Sequence, residues 1–207
     1  MQSTIPFVDE PLVIRRQQLK NHDFTIICQN CVGGYIYHQM GMKFLSPTIN
    51  LFFFPADFCD FVKHLRFYLE SEMVEDTKDN HPFPVGILGN AERQIRIYFN
   101  HYHDFDDAKR KWVERAKRVN YDNIYVIGGD AYGEPYSDDD FKAFDKLPYR
   151  HKVLLTGRNV PEVKSSVMIP DCNINGSLGE WWNKIPHNVR GSLHFEYWNY
   201  VNFLNQK

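Results

Sequence analysis

Asn30, Cys31, Gly33 and Gly34 stand where an apolar run, Phe24-Thr-Ile-Ile-Cys-Gln29, breaks into a polar turn. A thiol at the start of a helix-competent segment acts as a nucleophile when a helix N-terminus or a nearby imidazole lowers its pKa. The two glycines would let backbone N–H groups approach a phosphate or an oxyanion, with Asn30 as a further donor. The competing reading of Cys31 is a buried small hydrophobe, a common fate of free cysteines. Cys28 and Cys31 also spell C-x-x-C. Zinc would need two more ligands, and the chain has neither a second C-x-x-C nor an H-x-x-x-H. A redox pair would sit at an exposed helix start, whereas Cys28 lies inside the apolar run.

His101-Tyr-His103 would place both imidazoles on one face if extended, as an acid/base or a metal pair requires. Two solvated surface histidines are the alternative. Asp104-Phe-Asp106 matches a pattern with which many nucleotide-sugar transferases hold a divalent ion, but it opens a helix, where capping accounts for it. No metal is assigned on these residues. The helix beginning Lys109-Arg-Lys-Trp-Val-Glu-Arg and ending at Arg118 carries six basic residues. Lys111 and Arg115, one turn apart, could clamp a pyrophosphate or an anionic glycan. A solvated basic face fits Lys109, Arg110 and Lys117 better. Asp130 follows Gly128-Gly129 at the end of another apolar run and joins the candidate catalytic set.

These residues need a scaffold that brings strand ends together. Phe24–Gln29, Thr48–Phe53, Asn123–Ile127 and Lys152–Leu155 are short, apolar and bounded by turns, as buried strands are. Val85–Leu88 and Gln94–Phe99 add two more, the second half-exposed by its alternation. Helices are predicted from Asp9 to about Lys20, from Gly34 to Met40, after an Asp57 cap to Leu69, over Phe105–Val119, after Ser137, around Trp181-Trp182, and from about Ser192 to Leu204. Residues 71–84 read as a polar loop. The alternation predicts one α/β domain spanning residues 1–207, with a mostly parallel sheet and helices on both faces in three layers. In such a sheet, Asn30 and Cys31, Asp57, Gly129 and Asp130, and Thr156 with Arg158 would share the crevice at the strand carboxyl ends.

A chain of 207 residues is long enough for a real core. A net charge of −2 gives no basic field, which argues against a nucleic-acid partner. Aromatic residues reach 15%, which an aromatic-rich core explains more simply than a binding platform. The start lacks a basic segment and an apolar one, and the longest apolar run, Leu51–Phe54, is too short to span a bilayer. A cytoplasmic protein with free thiols is expected, one that could meet the inner membrane through partners.

The ordered motifs Ile27-Cys-Gln-Asn-Cys-Val-Gly-Gly-Tyr-Ile-Tyr37, Ser46-Pro-Thr-Ile-Asn-Leu-Phe-Phe-Phe54, Pro84-Val-Gly-Ile-Leu88, His101-Tyr-His103, Ala108–Arg115, Arg118–Ile124 and Phe144-Asp-Lys-Leu-Pro-Tyr149 carry a resemblance over residues 22 to 190. The chain resembles a bacterial family found with exopolysaccharide and capsule biosynthesis proteins, whose domain is labelled as of unknown function, number nineteen-nineteen. The resemblance implies an α/β domain and a role in surface-polysaccharide production, and an aromatic where this chain has Val32. It supplies neither a reaction nor a cofactor. The expectation is a transferase acting on a nucleotide-linked or lipid-linked sugar, with polysaccharide assembly proteins as partners. The other class is a non-catalytic glycan-binding or scaffold partner, which would expose Tyr35, Tyr37, Trp181 and Trp182 on an open face.

Overall fold

The computed structural model describes residues 7–130, 136–169, 178 and 193–206. In chain order it has α1 (Leu12–Gln18), β1 (Thr25–Cys28), α2 (Val32–Met40), α3 (Pro55–Lys63), α4 (Leu65–Glu70), β2 (Met73–Glu75), β3 (Val85–Gly89), β4 (Gln94–Tyr98), α5 (Phe105–Ala116), β5 (Ile124–Gly129), α6 (Asp138–Asp145), β6 (His151–Thr156), β7 (Ser166–Met168) and α7 (Tyr200–Leu204). Four strands form a parallel sheet in the order β1-β5-β6-β7, and β2-β3-β4 form a small antiparallel one.

β1, β5 and the last four residues of β6 are buried, which is why they read as continuous apolar runs, whereas the short β7 at the other end of the sheet is half-exposed. Ile26, Cys28, Tyr125, Ile127, Val153 and Leu155 join a core with Leu19, α2 and α7. The residues between them, Ile27, Val126 and Leu154, enter a second core with α3, α4, α5 and α6. This period-two division gives the three layers.

Several sequence expectations need correction. Thr48–Phe53 is no strand of the parallel sheet. Phe52 makes a single antiparallel bridge to Tyr98, and the Phe53 N–H donates to the Gln29 carbonyl at 2.9 Å. Ser46 and Thr48 turn their hydroxyls inward instead, and the Cys28 N–H donates to Thr48 Oγ1 at 3.0 Å. The polar stretch 71–84 contains β2, paired with β3. The helix expected after Asp57 starts at Pro55, with proline at its first position, and breaks at His64 into α3 and α4. Asp57 therefore caps nothing there, and its carboxylate accepts the Arg96 N–H at 3.1 Å. The first helix starts after Pro11 rather than Asp9. Ser137 does form a capping box with Asp140. The Trp181-Trp182 helix lies outside the described residues, as does the first residue of the helix expected from Ser192. The described end of that segment is a 3-10 turn, His194–Tyr197, followed by α7. No helix among the described residues is long and apolar enough to cross a membrane.

Beyond β1 the chain runs out through α2 and residues 46–53 to the antiparallel sheet, then returns through α5 to β5 on the other side of β1. The carboxyl end of β1 is thus where connections leave in opposite directions, the usual place for a crevice in an open α/β sheet.

Candidate functional site

A cleft of about 290 Å³ opens beside that end of β1, lined by Cys31, Gly34, Tyr35, His38, Phe44, Asn50 and His101. Three structural units supply it. Cys31, Gly34, Tyr35 and His38 recur every three or four residues along one face of α2. Phe44 and Asn50 come from the connection after α2, and His101 from the turn between β4 and α5. His38, Asn50 and His101 are exposed, and Tyr35 and Phe44 half-buried. Asn50 has a φ of 61°, a left-handed conformation that asparagine tolerates better than most residues.

Cys31 and Cys28 are both free, and both are buried, at 4% and 0% exposure. Burial pushes the Cys31 thiol up to about 12, although hydrogen bonding with the Asn100 side chain and the Leu51 backbone pulls the other way. Burial also raises Cys28 to about 11. Cys31 is thus a buried thiol that floors the cleft, where burial disfavours the thiolate that nucleophilic attack needs. Tyr35 is raised too, by burial first and by proximity to Cys31 second.

The glycines divide by role. A methyl group on Gly33 would come within 2.9 Å of Cys28 Cβ and 3.2 Å of Ile26 Cγ2, so Gly33 lets α2 lie close on β1. On Gly34 the nearest atom would be Ile49 Cγ2 at 3.5 Å, an ordinary contact. Gly33→Ala is expected to destabilise the fold by about 1–3 kcal/mol. Gly34→Ala should be neutral, or stabilising by up to about 1 kcal/mol, while placing a methyl in the cleft wall. Thermal unfolding of the two purified variants checks this, and equal losses would contradict it.

Asn30 is buried and points away from the cleft. Its Oδ1 accepts the Val32 N–H at 3.1 Å, and a methyl on Gly129 would meet its Nδ2 at 3.3 Å. This side chain satisfies a helix-start donor that an anion would otherwise use, so Asn30 braces the β1–α2 junction rather than cradling a phosphate. Gln29, which the sequence reading passed over, is the knot of the strand-end crevice. Its Oε1 accepts from the Gly129 N–H at 3.1 Å and the Tyr136 hydroxyl at 2.5 Å, and its Nε2 donates to the Phe53 carbonyl at 3.3 Å.

Asp130 lies buried at this crevice, and burial raises its carboxyl to about 6 despite a backbone N–H at Tyr136 and the charge of Arg158. It does not line the Cys31 cleft.

His101 and His103 part company. The Tyr102 N–H donates to the Phe99 carbonyl at 3.0 Å, so the segment turns and is not extended as the one-face expectation required. His101 faces the Cys31 cleft, and His103 lines a separate cleft of about 640 Å³ with Glu75, Asp79, His81 and Asp106. Asp104 caps α5 by accepting the Asp107 N–H at 2.8 Å.

Lys111 pairs with Asp107 at 2.7 Å. Arg115 Nη1 donates to the Tyr102 hydroxyl at 2.8 Å, and its guanidinium sits 5.3 Å from the Phe44 ring centroid. Neither lines the cleft, so the anion-clamp role expected of this pair is replaced by support from behind. Of Asn30, Cys31, His101, Asp130 and Arg115, expected to share a pocket, only Cys31 and His101 line this one. Tyr37 is buried with its hydroxyl donating to the Phe24 carbonyl, so it offers no exposed platform. Val32 is buried in the core, and the stacking position implied for an aromatic there is filled by packing.

Residues 7–205 match the family model described as a domain of unknown function, DUF1919. The chain belongs to this family. The DUF1919 match starts before residue 22 and ends after residue 190, taking in α1 and α7. A Haemophilus influenzae protein described as "Uncharacterized protein" is 30% identical over 190 residues, covering 92% of this chain and 88% of that protein. Neither description names a reaction or a substrate.

His38, Phe44 and Asn50 were missed by the sequence reading. The spacing Cys31-x-x-Gly34-Tyr35-x-x-His38 carried the signal for the first of them, because it puts a thiol, a phenol and an imidazole on one helical face.

Proposed function

We propose that this DUF1919 chain transfers a group to or from an activated or lipid-linked sugar in exopolysaccharide or capsule biosynthesis, at the Cys31–His101 cleft. The observation that carries the reading is the convergence of two imidazoles, His38 and His101, from separate elements in one concave site with Tyr35 and Asn50. Such an arrangement suits general acid–base chemistry, which needs a proton acceptor and a proton donor on either side of a reacting bond. His101 takes the proton of an acceptor hydroxyl as its oxygen bonds to the transferred group. The bond to the leaving oxygen breaks, that oxygen keeps the electron pair, and His38 supplies a proton to it. The sugar context is supported by the resemblance to proteins found with polysaccharide biosynthesis genes. The cleft lies within the family-matched residues.

A thermal-shift series of the purified protein with nucleotide-sugars, polyprenyl-phosphate sugar analogues and bare nucleotides tests it. Binding to the folded state stabilises by mass action, by about 2.7 kcal/mol at a hundredfold excess over Kd. At least one sugar-bearing compound should raise the unfolding temperature and lose that effect in Asn50→Gly. Glycine keeps the left-handed backbone at this position while removing the amide, so this variant should fold normally. A panel in which no sugar compound shifts the wild type would overturn the reading.

A further inference from the structure

The charge and size of the cleft say more about its occupant. Among the described residues its lining contains no carboxylate, no lysine and no arginine. A cationic amino sugar would find no counter-charge there, and a pyrophosphate would find no guanidinium or ammonium. The volume of about 290 Å³ lies at the small end of ligand sites, which run roughly from 300 to 1,000 Å³. It suits one sugar ring inside the cleft, with the rest of an activated sugar extending past its open mouth.

Phe44 supplies what such a ring needs. Its ring is half-buried and lines the cleft, although it stands on a connection without regular secondary structure. That connection is fixed at several points. Arg118 donates to the Phe44 carbonyl at 3.0 Å, Thr25 Oγ1 to the Leu45 carbonyl at 3.0 Å, and the Tyr102 hydroxyl to the Ile49 carbonyl at 3.2 Å. The Phe44 ring itself meets the Arg115 guanidinium at 5.3 Å and the Tyr37 ring at 6.2 Å and 72°. Arg115 also donates to Tyr102, so a single α5 side chain touches both the ring and the tyrosine that anchors the far end of the connection. An aromatic face carries negative charge density and attracts polarised C–H groups. A pyranose presents such C–H groups on its face and hydroxyls around its edge.

We infer that the cleft is a subsite for one uncharged saccharide ring, seated on Phe44 with its hydroxyls toward His38, Asn50 and His101, and that Arg115 is a positioning residue acting through Phe44. The inference rests on the sugar-transfer reading above. The phosphate-bearing part of an activated sugar then lies outside this cleft.

Saturation-transfer NMR on the full chain, with methyl glycosides of neutral hexoses, N-acetylhexosamines, hexuronic acids and hexosamines as probes, tests it. A neutral or N-acetylated glycoside should bind in the millimolar range, with its ring-face protons most strongly saturated. Phe44→Ala should weaken that binding about tenfold or more, while Phe44→Trp should keep it within about threefold. Arg115→Ala should weaken it severalfold in the wild-type background and have no further effect in Phe44→Ala, a non-additivity that loss of general stability would not produce. Binding that is indifferent to both Phe44 variants, additive effects of Arg115 and Phe44, or a preference for the hexosamine or the hexuronic acid would overturn the subsite and leave the sugar reading standing. Failure of every glycoside to bind the wild type would overturn both.

Discussion

His101→Ala is expected to cut polysaccharide output per cell by about 10²–10⁴-fold, the usual contribution of a positioned acid or base. The same change should barely touch folding. His101 is exposed, and losing a solvent-facing side chain is usually worth no more than about 0.5 kcal/mol. For a chain of this length that is a change of about 2 °C or less in unfolding temperature. The neighbouring Tyr102 gives the contrast. It is buried, and its hydroxyl links Arg115 to the Ile49 carbonyl, so Tyr102→Phe should lower stability by about 1 kcal/mol and disturb the cleft only through the Asn50 side of its wall. The two measurements are polysaccharide output at matched protein level and thermal unfolding of the purified variants. An inactive His101→Ala that also melts early would remove histidine's claim to a chemical role.

Asp130→Asn is expected to stabilise the protein at pH 7 by about 2 kcal/mol. The folded carboxyl titrates at about 6, above the ordinary aspartate value near 3.8, because burial disfavours its charge. A raised carboxyl favours folding when protonated. That contribution is full below about pH 3.8 and is lost as pH rises through about 6. A tenfold change in proton affinity is worth about 1.4 kcal/mol, and relaxation around the charge trims the total. Wild type should therefore lose stability relative to Asp130→Asn between pH 4 and 7, and the two should converge near pH 4. Denaturant unfolding across that range checks the sign, and a variant less stable than wild type at pH 7 would refute it. Asp130 stands at the β1/β5 crevice, directly after Gly129, which packs against the Asn30 side chain.

The fold was legible because β1, β5 and most of β6 are buried, whereas the short, half-exposed β7 gave no such signal. Ile26 to Cys28, Tyr125 to Ile127 and Val153 to Leu155 are apolar without interruption, and the Asp104 and Ser137 caps announce α5 and α6. Thr48–Phe53 deceived for a physical reason. It is as apolar as a strand because it is buried, but Ser46 and Thr48 use hydroxyls to satisfy backbone groups that a ladder would otherwise satisfy. Met73–Glu75 was hidden by its length and by the exposure of Val74 and Glu75. At the site, Cys31 and His101 were found because their types are chemical. Asn30, Gly33 and Arg115 were assigned to ligands because sequence cannot show which way a side chain faces. The structure turns Asn30 toward Gly129, presses Gly33 on Cys28, and gives Arg115 to Tyr102 and Phe44. Phe44 and Asn50 carried no spacing signal, because their position depends on α5, more than fifty residues later in the chain.

Two histidines separated by one residue make the most direct test. His101 faces the Cys31 cleft and His103 a different one, so the same chemistry is removed from two sites by substitutions two positions apart. In a strain lacking the endogenous gene, surface polysaccharide would be extracted and its composition determined after complementation with wild type, His101→Ala or His103→Ala at equal protein level. The account predicts wild-type polysaccharide from His103→Ala and a missing polymer, or a polymer missing one constituent, from His101→Ala. Wild-type polysaccharide from His101→Ala, or loss confined to His103→Ala, would contradict it.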